Sequence, residues 1–156
     1  MEGLFLPDST SNLETHLGYW LRFVSNHVSH AFRLKVEAHG VTVAEWVVMR
    51  ALFDDSSVNP SEVADKIGLT RGAVSKLVER LVKKDLVTCR VERKDRRYQR
   101  IGLTASGRKL VPVLARLADQ NDREFFSHLR DTERANLTAV LRDIVDRHGL
   151  KAVPVD

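Results

Sequence analysis

The sequence predicts a mainly α-helical protein with one small β-hairpin. Two observations carry this prediction: apolar residues recur at helical spacing along most of the 156 residues, and the period changes to a β-type pattern near residues 86–104. Capping residues and glycine stops then divide the helical pattern into separate segments. The composition, 43% hydrophobic and 29% charged, is that of a globular chain with enough apolar residues to bury a core.

The N-terminal segment, residues 11–40, predicts one long helix. Ser11 and Glu14 have the spacing of a capping box, in which each side chain accepts from the backbone N–H of the other residue. Gly40 predicts the C-terminal stop of this helix. Its apolar stripe is formed by Leu13, Leu17, Leu21, Val24 and Val28.

Two shorter helices follow, separated by a loop over residues 54–59. Thr42 and Glu45 predict a second capping box, which starts a helix that runs to about Phe53. The next helix is short, because a proline at its first position and a glycine after its last position fix both ends. Its signals are Asn59 as the N-cap, Pro60 and Glu62 at the first and third positions, and Gly68 as the stop.

A three-residue turn, Gly68–Thr70, leads directly into a fourth helix. Thr70 is the expected N-cap, and the helix continues to about Lys84. Two helices joined by so short a turn are typical of a helix-turn-helix. The expected core stripe of the fourth helix is Val74, Leu77, Val78 and Leu81.

The β-hairpin is expected where two β-type runs, LVTCRV and YQRIGLT, flank a charged tip. Residues 90–100 hold six basic side chains with one aspartate, Asp95, among them. Residues 70–110 contain 13 Lys+Arg and 4 Asp+Glu, a balance of +9, whereas the rest of the chain contains 12 and 17, a balance of −5. A basic block inside an acidic remainder indicates a localised anion-binding surface, and a solvated charged face is the simpler alternative.

The C-terminal residues predict two further helices. Thr104 restarts the helical pattern, and Pro112 is expected to kink the long helix that follows. Asp131 and Gly149 are the expected N-cap and stop of the last helix. The stripes of the first and last helices are too long for so small a domain to cover, so we expect a dimer interface. The stripe of the last helix is Leu137, Val140, Leu141, Ile144 and Val145.

The order of helices, short turn and β-hairpin predicts a winged helix-turn-helix with long N- and C-terminal dimerisation helices. We expect an N-terminal dimerisation helix at residues 1–40, a DNA-binding winged helix-turn-helix at 41–104 and C-terminal dimerisation helices at 105–156. The second helix of such a motif enters the major groove, and the basic hairpin favours this over a solvated surface helix. The candidate contacts are Thr70, Arg71, Gly72, Ser75, Lys76 and Arg80.

The segments GLTRGAVSKLVERLVKKDLV, DRR and IGLTASG resemble the MarR family of bacterial winged-helix transcription regulators. The resemblance implies an obligate homodimer, whose first and last helices interlock, bound to a pseudo-palindromic operator in double-stranded DNA. It also implies that Arg97 enters the minor groove while Asp95 holds the wing in shape. Arg93 and Lys94, beside them, are the further candidates for contacts to the DNA backbone.

The chain departs from the family pattern at two positions. Asp85 stands where the family usually has glycine, and because aspartate tolerates a left-handed backbone we expect the turn to be kept. Cys89 stands where the family commonly has arginine. We therefore expect Arg90 on a shifted strand to supply the contact of that arginine, or the contact to be lost.

The resemblance further implies control by a small aromatic or phenolic ligand or by oxidation. The effector cavity of the family lies between the dimer helices and the DNA-binding lobe, and the alternative for each aromatic residue there is a place in the core. The first helix has no cysteine and the chain has no compact metal-ligand cluster, so we expect a repressor released by an aromatic ligand, with no metal or cofactor. The candidate effector residues are Trp20, His27 and Trp46.

A redox- or metal-responsive regulator of the same fold is the alternative. Basic neighbours such as Arg90 would lower the pKa of the Cys89 thiol and make it more reactive. Histidines spaced three apart on the first helix could start a zinc site. These are His27 and His30, and His39 and His128 could join them as zinc ligands.

Other classes of protein are disfavoured. The start, MEGLFLPDST, lacks the basic and apolar regions of a signal peptide, and no stretch approaches the about eighteen apolar residues that a membrane span needs. A single cysteine excludes an internal disulfide framework and fits a reducing cytoplasm. No Gly-rich phosphate loop, nucleophile elbow or HExxH motif is present, so we expect no enzyme. A winged-helix module that binds protein or RNA is the other rival.

Overall fold

The computed structural model describes residues 10–55, 57–92, 94 and 99–151. These residues form a mainly helical fold with one antiparallel hairpin, in the order that the sequence predicts. The helices are α1 (Leu17–Glu37), α2 (Val43–Phe53), α3 (Pro60–Ile67), α4 (Arg71–Lys83), α5 (Ala105–Phe126) and α6 (Asp131–Arg147), and the strands are β1 (Val87–Val91) and β2 (Gln99–Leu103).

Side-chain caps start the helices of the central region where the sequence places them. In each case a hydroxyl or amide oxygen accepts from the N–H three residues on, which satisfies one of the free amides of the first turn. Gly68 takes the left-handed conformation after α3, with φ of 71°, and ends that helix as predicted. The caps are Thr42 of α2, Asn59 of α3, Thr70 of α4 and Thr104 of α5.

The predicted start of the first helix is wrong. Residues 13–15 form a separate 3-10 turn, and α1 begins only at Leu17, since the extended backbone of His16 (φ −91°, ψ 125°) interrupts the helix. The carbonyl oxygen of Glu14 accepts from Trp20 Nε1 at 2.9 Å, which holds the turn against the side of α1. The expected capping box of Ser11 and Glu14 is therefore absent among the described residues.

Two other expectations at helix ends need correction. Arg130, not Asp131, is the N-cap of α6, because its backbone N–H donates to the Glu133 carboxylate at 2.9 Å and Asp131 is already helical. Thr42 caps α2 as expected, but Glu45 does not complete the box; its carboxylate contacts Lys84 instead. Helix α5 continues through Pro112, and the kink expected at that residue stays a prediction.

The hairpin has the predicted strands, and it is anchored to the loop before α3. Strands β1 and β2 pair antiparallel, with Val87 opposite Leu103. Val58 adds a bridge to Ile101, donating its N–H to the Ile101 carbonyl at 3.2 Å and accepting in return at 2.8 Å. The sequence predicted residues 54–59 as a loop only, so this third short backbone partner was missed.

The core lies within the winged helix-turn-helix and extends to α5, whereas α1 and α6 contribute little to it. All four residues of the predicted α4 stripe are buried. By contrast, α6 has no buried residue, and Val36 is the buried residue of α1. The core collects apolar side chains from α2 (Val48, Met49, Leu52), α3 (Val63), α4 (Val74, Leu81), β2 (Ile101) and α5 (Val111, Leu114).

Candidate nucleic-acid interface

Helix α4 has one buried face and one exposed, cationic face. Burial of the stripe from Val74 to Leu81 turns the other residues of the helix outward. The segment 70–84 carries five basic residues and one acidic residue. Every predicted contact on it is exposed to solvent: Thr70, Arg71, Gly72, Ser75, Lys76 and Arg80.

The N-terminal turn of α4 is compact and open to a ligand. The Thr70 hydroxyl oxygen accepts from Ala73 N–H at 3.1 Å, and the Ser75 hydroxyl donates to the Arg71 carbonyl at 3.0 Å. Both side chains are thereby held close to the helix instead of projecting over it. A Cβ added at Gly72 would meet nothing within 4 Å. The backbone of this turn can therefore be approached closely, and its free amides favour an anion.

The cations of this face are not neutralised within the described part of the chain. Nine ion pairs are formed by described residues, and none includes Arg71, Lys76 or Arg80. Unpaired arginine and lysine side chains on one helix face raise the local positive potential, which attracts polyanions. The exposed face of α4 is thus available for phosphate or base contacts.

A groove of about 590 Å³ runs between α4 and the base of the hairpin. Its walls include Gly72 and Lys76 from α4, Gln99 from β2 and Cys89 from β1. The groove makes the exposed face of α4 continuous with the wing. Both can therefore face one extended partner.

The base of the wing concentrates positive charge. Arg90 lies directly opposite Arg100 in the hairpin register, and such like-charged cross-strand pairs are destabilising. Arg100 Nε donates to the Glu92 carboxylate at 2.8 Å, which offsets part of that repulsion. Lys94 is exposed at the turn. The predicted wing-tip residues Arg93, Asp95 and Arg97 lie outside the described residues, so their roles stay predictions.

The two positions at which the chain departs from the family pattern have clear local consequences. Asp85 takes a left-handed backbone with φ of 57°, as expected for a residue that replaces glycine in this turn. Cys89 is paired with Ile101 in the regular register, so the strand is not shifted at this point. Desolvation raises the pKa of the Cys89 thiol, which contradicts the expectation that Arg90 would lower it. A raised pKa leaves less reactive thiolate at neutral pH.

The candidate effector residues occupy different environments in one protomer. Trp46 is buried in the core, edge-to-face with Phe32 at 6.5 Å between ring centroids. Trp20 is 48% exposed on α1, and His27, also exposed, lies 5.0 Å from the ring of Phe23. Trp46 is therefore a core residue, which was the alternative to its being an effector residue. Among the described residues, no group of three His, Cys, Asp or Glu side chains could hold a metal ion.

Comparison with known proteins supports the winged-helix fold and shows a similarity to one family of regulators. Residues 39–97, from the end of α1 to the wing, match the model of the MarR family. The HTH-type transcriptional regulator SarZ of Staphylococcus haemolyticus is 25% identical over 145 residues, which cover 93% of this chain and 96% of that protein. The chain is similar in sequence to the MarR family of winged-helix transcriptional regulators.

Two solved structures share most of the architecture of this chain. Bordetella bronchiseptica BpsR, whose DNA binding is regulated by 6-hydroxynicotinic acid, has a TM-score of 0.77 and 26% identity, with 88% of this chain and 98% of BpsR covered. MepR of S. aureus, solved in complex with DNA, has a TM-score of 0.76 and 25% identity, with 85% and 98% covered. The family consists of regulators and not of enzymes. None of the described helices is long and apolar enough to cross a membrane.

Proposed function

We propose that this chain is a homodimeric repressor, which binds a pseudo-palindromic operator in double-stranded DNA through α4 and the wing and is released by a small aromatic ligand. The observation that carries the proposal is the exposed face of α4, where arginine and lysine side chains have no described carboxylate partner and continue into a basic hairpin. Such a regulator acts where the chromosome is, in the cytoplasm.

The charge of the interface suits a duplex. Double-stranded DNA carries one phosphate charge per roughly 1.7 Å of its axis, so a localised cationic surface gains by facing it. Residues 70–110 carry a balance of +9, and the opposed Arg90 and Arg100 would be relieved of repulsion by a polyanion. The likeness to MepR, which was solved with DNA, supports the same use of this surface.

The shape of α4 suits the major groove. Its 13 residues form one regular helix, and a groove about 12 Å wide admits such a helix. Arg71 and Lys76 lie in its N-terminal half, where recognition helices contact base edges. Arg80 lies one turn beyond Lys76, and we assign it to the phosphate backbone together with Thr70 and Ser75.

A homodimer is proposed from the terminal helices. All five residues of the predicted α6 stripe are exposed, from 39% for Ile144 to 57% for Val140, and the stripe of α1 is exposed in the same way at Leu17 and Leu21. Contiguous apolar surface of this kind marks an interface. A twofold dimer would present two copies of α4 to two half-sites. Residues 1–40 and 105–156 would then form the dimerisation module around a DNA-binding region at 41–104.

An aromatic effector is favoured over oxidation or metal. BpsR, a structural relative at 26% identity, is regulated by 6-hydroxynicotinic acid, which is a small heteroaromatic acid. On this chain, Trp20 and His27 supply exposed rings on α1, the helix that a partner protomer would cover. The raised pKa of Cys89 weakens the redox alternative. No described metal-ligand group supports the metal alternative.

The exposed residues of α4 provide the test of DNA reading. Lys76→Ala and Arg71→Ala should each weaken binding to an operator selected by the wild-type protein by about 1–3 kcal/mol more than binding to a random duplex, because a lost base contact is specific to sequence. Fluorescence anisotropy of both duplexes over a salt series measures this difference. Lys109→Ala removes an exposed lysine of α5 and should leave the ratio of the two affinities unchanged.

The three possible outcomes separate three roles for α4. A larger loss on the operator supports base reading by that side chain. An equal loss on both duplexes would show that it contacts phosphate only. If neither variant weakens binding to any duplex, α4 does not face DNA and the proposed function is wrong.

A further inference from the structure

One ammonium group joins three segments of the chain behind the DNA-binding face. Lys84 follows the last residue of α4, and its Nζ lies 2.7 Å from the Glu45 carboxylate of α2 and 2.8 Å from the Gly40 carbonyl oxygen. Gly40 belongs to the turn between α1 and α2. The end of the recognition helix is thereby tied to the junction between the first terminal helix and the core.

We propose that Lys84 is a positioning residue, which through Glu45 and Gly40 fixes the orientation of α4 relative to the dimerisation helices and so sets the spacing of the two recognition helices. This inference rests on the proposed dimeric DNA-binding function. It assigns to the Glu45–Lys84 pair a role in selecting operator spacing, which is distinct from direct contact with DNA.

Because Glu45 is buried, its carboxylate requires a partner, and Lys84 is that partner. Its side chain is 2% exposed, whereas that of Lys84 is 38% exposed. A buried carboxylate is costly unless it is paired and hydrogen-bonded, so the position of the Lys84 ammonium is strongly constrained. The Glu45 N–H donates to the Thr42 hydroxyl at the start of α2, while the Glu45 carboxylate bonds outside its own helix, to Lys84. Glu45 thus provides a buried carboxylate, and the Lys84 ammonium is its counter-ion.

A second set of bonds holds the residues that follow α4 to the start of α5. The Thr104 hydroxyl donates to the Asp85 carbonyl at 2.7 Å, and Thr104 is the N-cap of α5. The Thr104 N–H donates to the Leu86 carbonyl at 3.1 Å. The end of α4 is therefore clamped between the α1–α2 junction and the start of α5. Because α1 and α5 lie next to the proposed dimer interface, a change in their arrangement must move α4 or break this clamp.

Lys84 differs from its neighbour Lys83 in a way that separates positioning from charge. The Lys84 ammonium is directed to Glu45 and Gly40, away from the groove between α4 and the wing. Lys83 borders that groove and is exposed. Both residues carry the same charge at adjacent positions. Lys83 therefore offers a matched control for the loss of one positive charge at the end of α4.

The test measures the geometry of α4 and the spacing preference separately. A spin label at Glu79→Cys in a Cys89→Ser background reports the distance between the two α4 helices of the full-length dimer by pulsed electron paramagnetic resonance. Lys84→Met and Glu45→Gln should shift or broaden this distance distribution, and Lys83→Met should not. Operators selected by the wild type are then varied by one or two base pairs between the half-sites. Lys84→Met should reduce the preference for the original spacing by about fivefold or more, as for a typical coupling between two sites.

The results that overturn the proposal differ from those that overturn the proposed function. If Lys84→Met and Glu45→Gln lower thermal stability while the distance distribution and the spacing preference stay as in the wild type, the pair only stabilises the fold. Should Lys84→Met fail to fold, Glu45→Gln, which keeps the size and hydrogen-bonding capacity of the side chain, decides the matter by the same two measurements. Failure of the wild type to bind any duplex would refute the proposed function, while the distance measurement would still report on Lys84.

Discussion

A chain that ends at Leu129 should fail to form the dimer and should lose operator binding with it. This truncation removes α6, whose apolar stripe is 39–57% exposed in a single protomer and has no other cover among the described residues. A protomer that binds alone engages one half-site, so the affinity for the full operator should fall by a factor of about 10²–10⁴. Sedimentation velocity measures the assembly, and anisotropy with the selected operator measures the binding.

Two point variants of the full-length chain test the same interface without removing a helix. Ile144→Asp places a charge in the centre of the α6 stripe and should dissociate the dimer, because an unpaired carboxylate is costly at an apolar interface. Ala139→Asp places the same charge on the opposite face of α6 and should leave the dimer intact. A well-folded monomer of the unaltered full-length chain in sedimentation would contradict the proposed architecture.

Gly107→Ala should be strongly destabilising. Gly107 is at the third position of α5, and a Cβ built there would overlap the carbonyl oxygen of Leu86, with the carbonyl carbon at 3.1 Å and Leu103 Cδ2 at 3.2 Å. That carbonyl also accepts from Thr104 N–H at 3.1 Å, so the backbone cannot retreat without losing a hydrogen bond. We expect a loss of about 3 kcal/mol in the free energy of unfolding, at the upper end of overpacking effects.

The control for this variant is a glycine in open space. Gly72→Ala adds a methyl group on α4 that meets nothing within 4 Å, and alanine is the better helix former by about 1 kcal/mol. Gly72→Ala should therefore be neutral or slightly stabilising. Urea unfolding of all three proteins at one protomer concentration gives the comparison, since the stability of a dimer depends on concentration. Wild-type stability for Gly107→Ala would show that α5 does not pack against the end of α4 in this way.

The parts of the fold that the sequence predicts are those that depend on local signals. Thr70 and Thr104 cap their helices through bonds to residues three positions away, and Gly68 ends α3 because of its own backbone preference. The β-type composition that predicts β1 and β2 likewise depends only on the residues of each strand. The exposed face of α4 was predictable for the same reason, since burial of one stripe of a helix leaves the opposite face outside.

The parts that the sequence does not predict depend on contacts between distant residues. Glu45 and Lys84 are 39 positions apart, so the spacing from Thr42 to Glu45 indicated a capping box where the fold forms an ion pair. The bridge from Val58 to Ile101 needs the hairpin to be in place before its partner can be recognised. The extended backbone at His16 could not be predicted from the spacing of apolar residues either, because that spacing continues unbroken from the 3-10 turn into α1.

The roles of the wing tip and of the effector residues stay predictions. Arg93, Asp95 and Arg97 fall outside the described residues, so their assignment rests on the resemblance of the wing sequence. Trp46 was a candidate for the effector because it is aromatic, and its burial against Phe32 accounts for it as a core residue. An aromatic residue on the first two helices fits both effector binding and core packing, so the sequence alone did not separate the two roles.

Selection of duplexes from a random pool with the full-length, unaltered protein is the most direct test of operator binding by a dimer. We expect the enriched sequences to contain two inverted half-sites with centres about 10 base pairs or a multiple of that apart, one for each copy of α4. We also expect two protomers to bind each enriched duplex, with an affinity that exceeds that for random duplex and for the corresponding single strand. Enrichment of no sequence, or equal affinity for the duplex and the single strand, would contradict operator binding by a dimer.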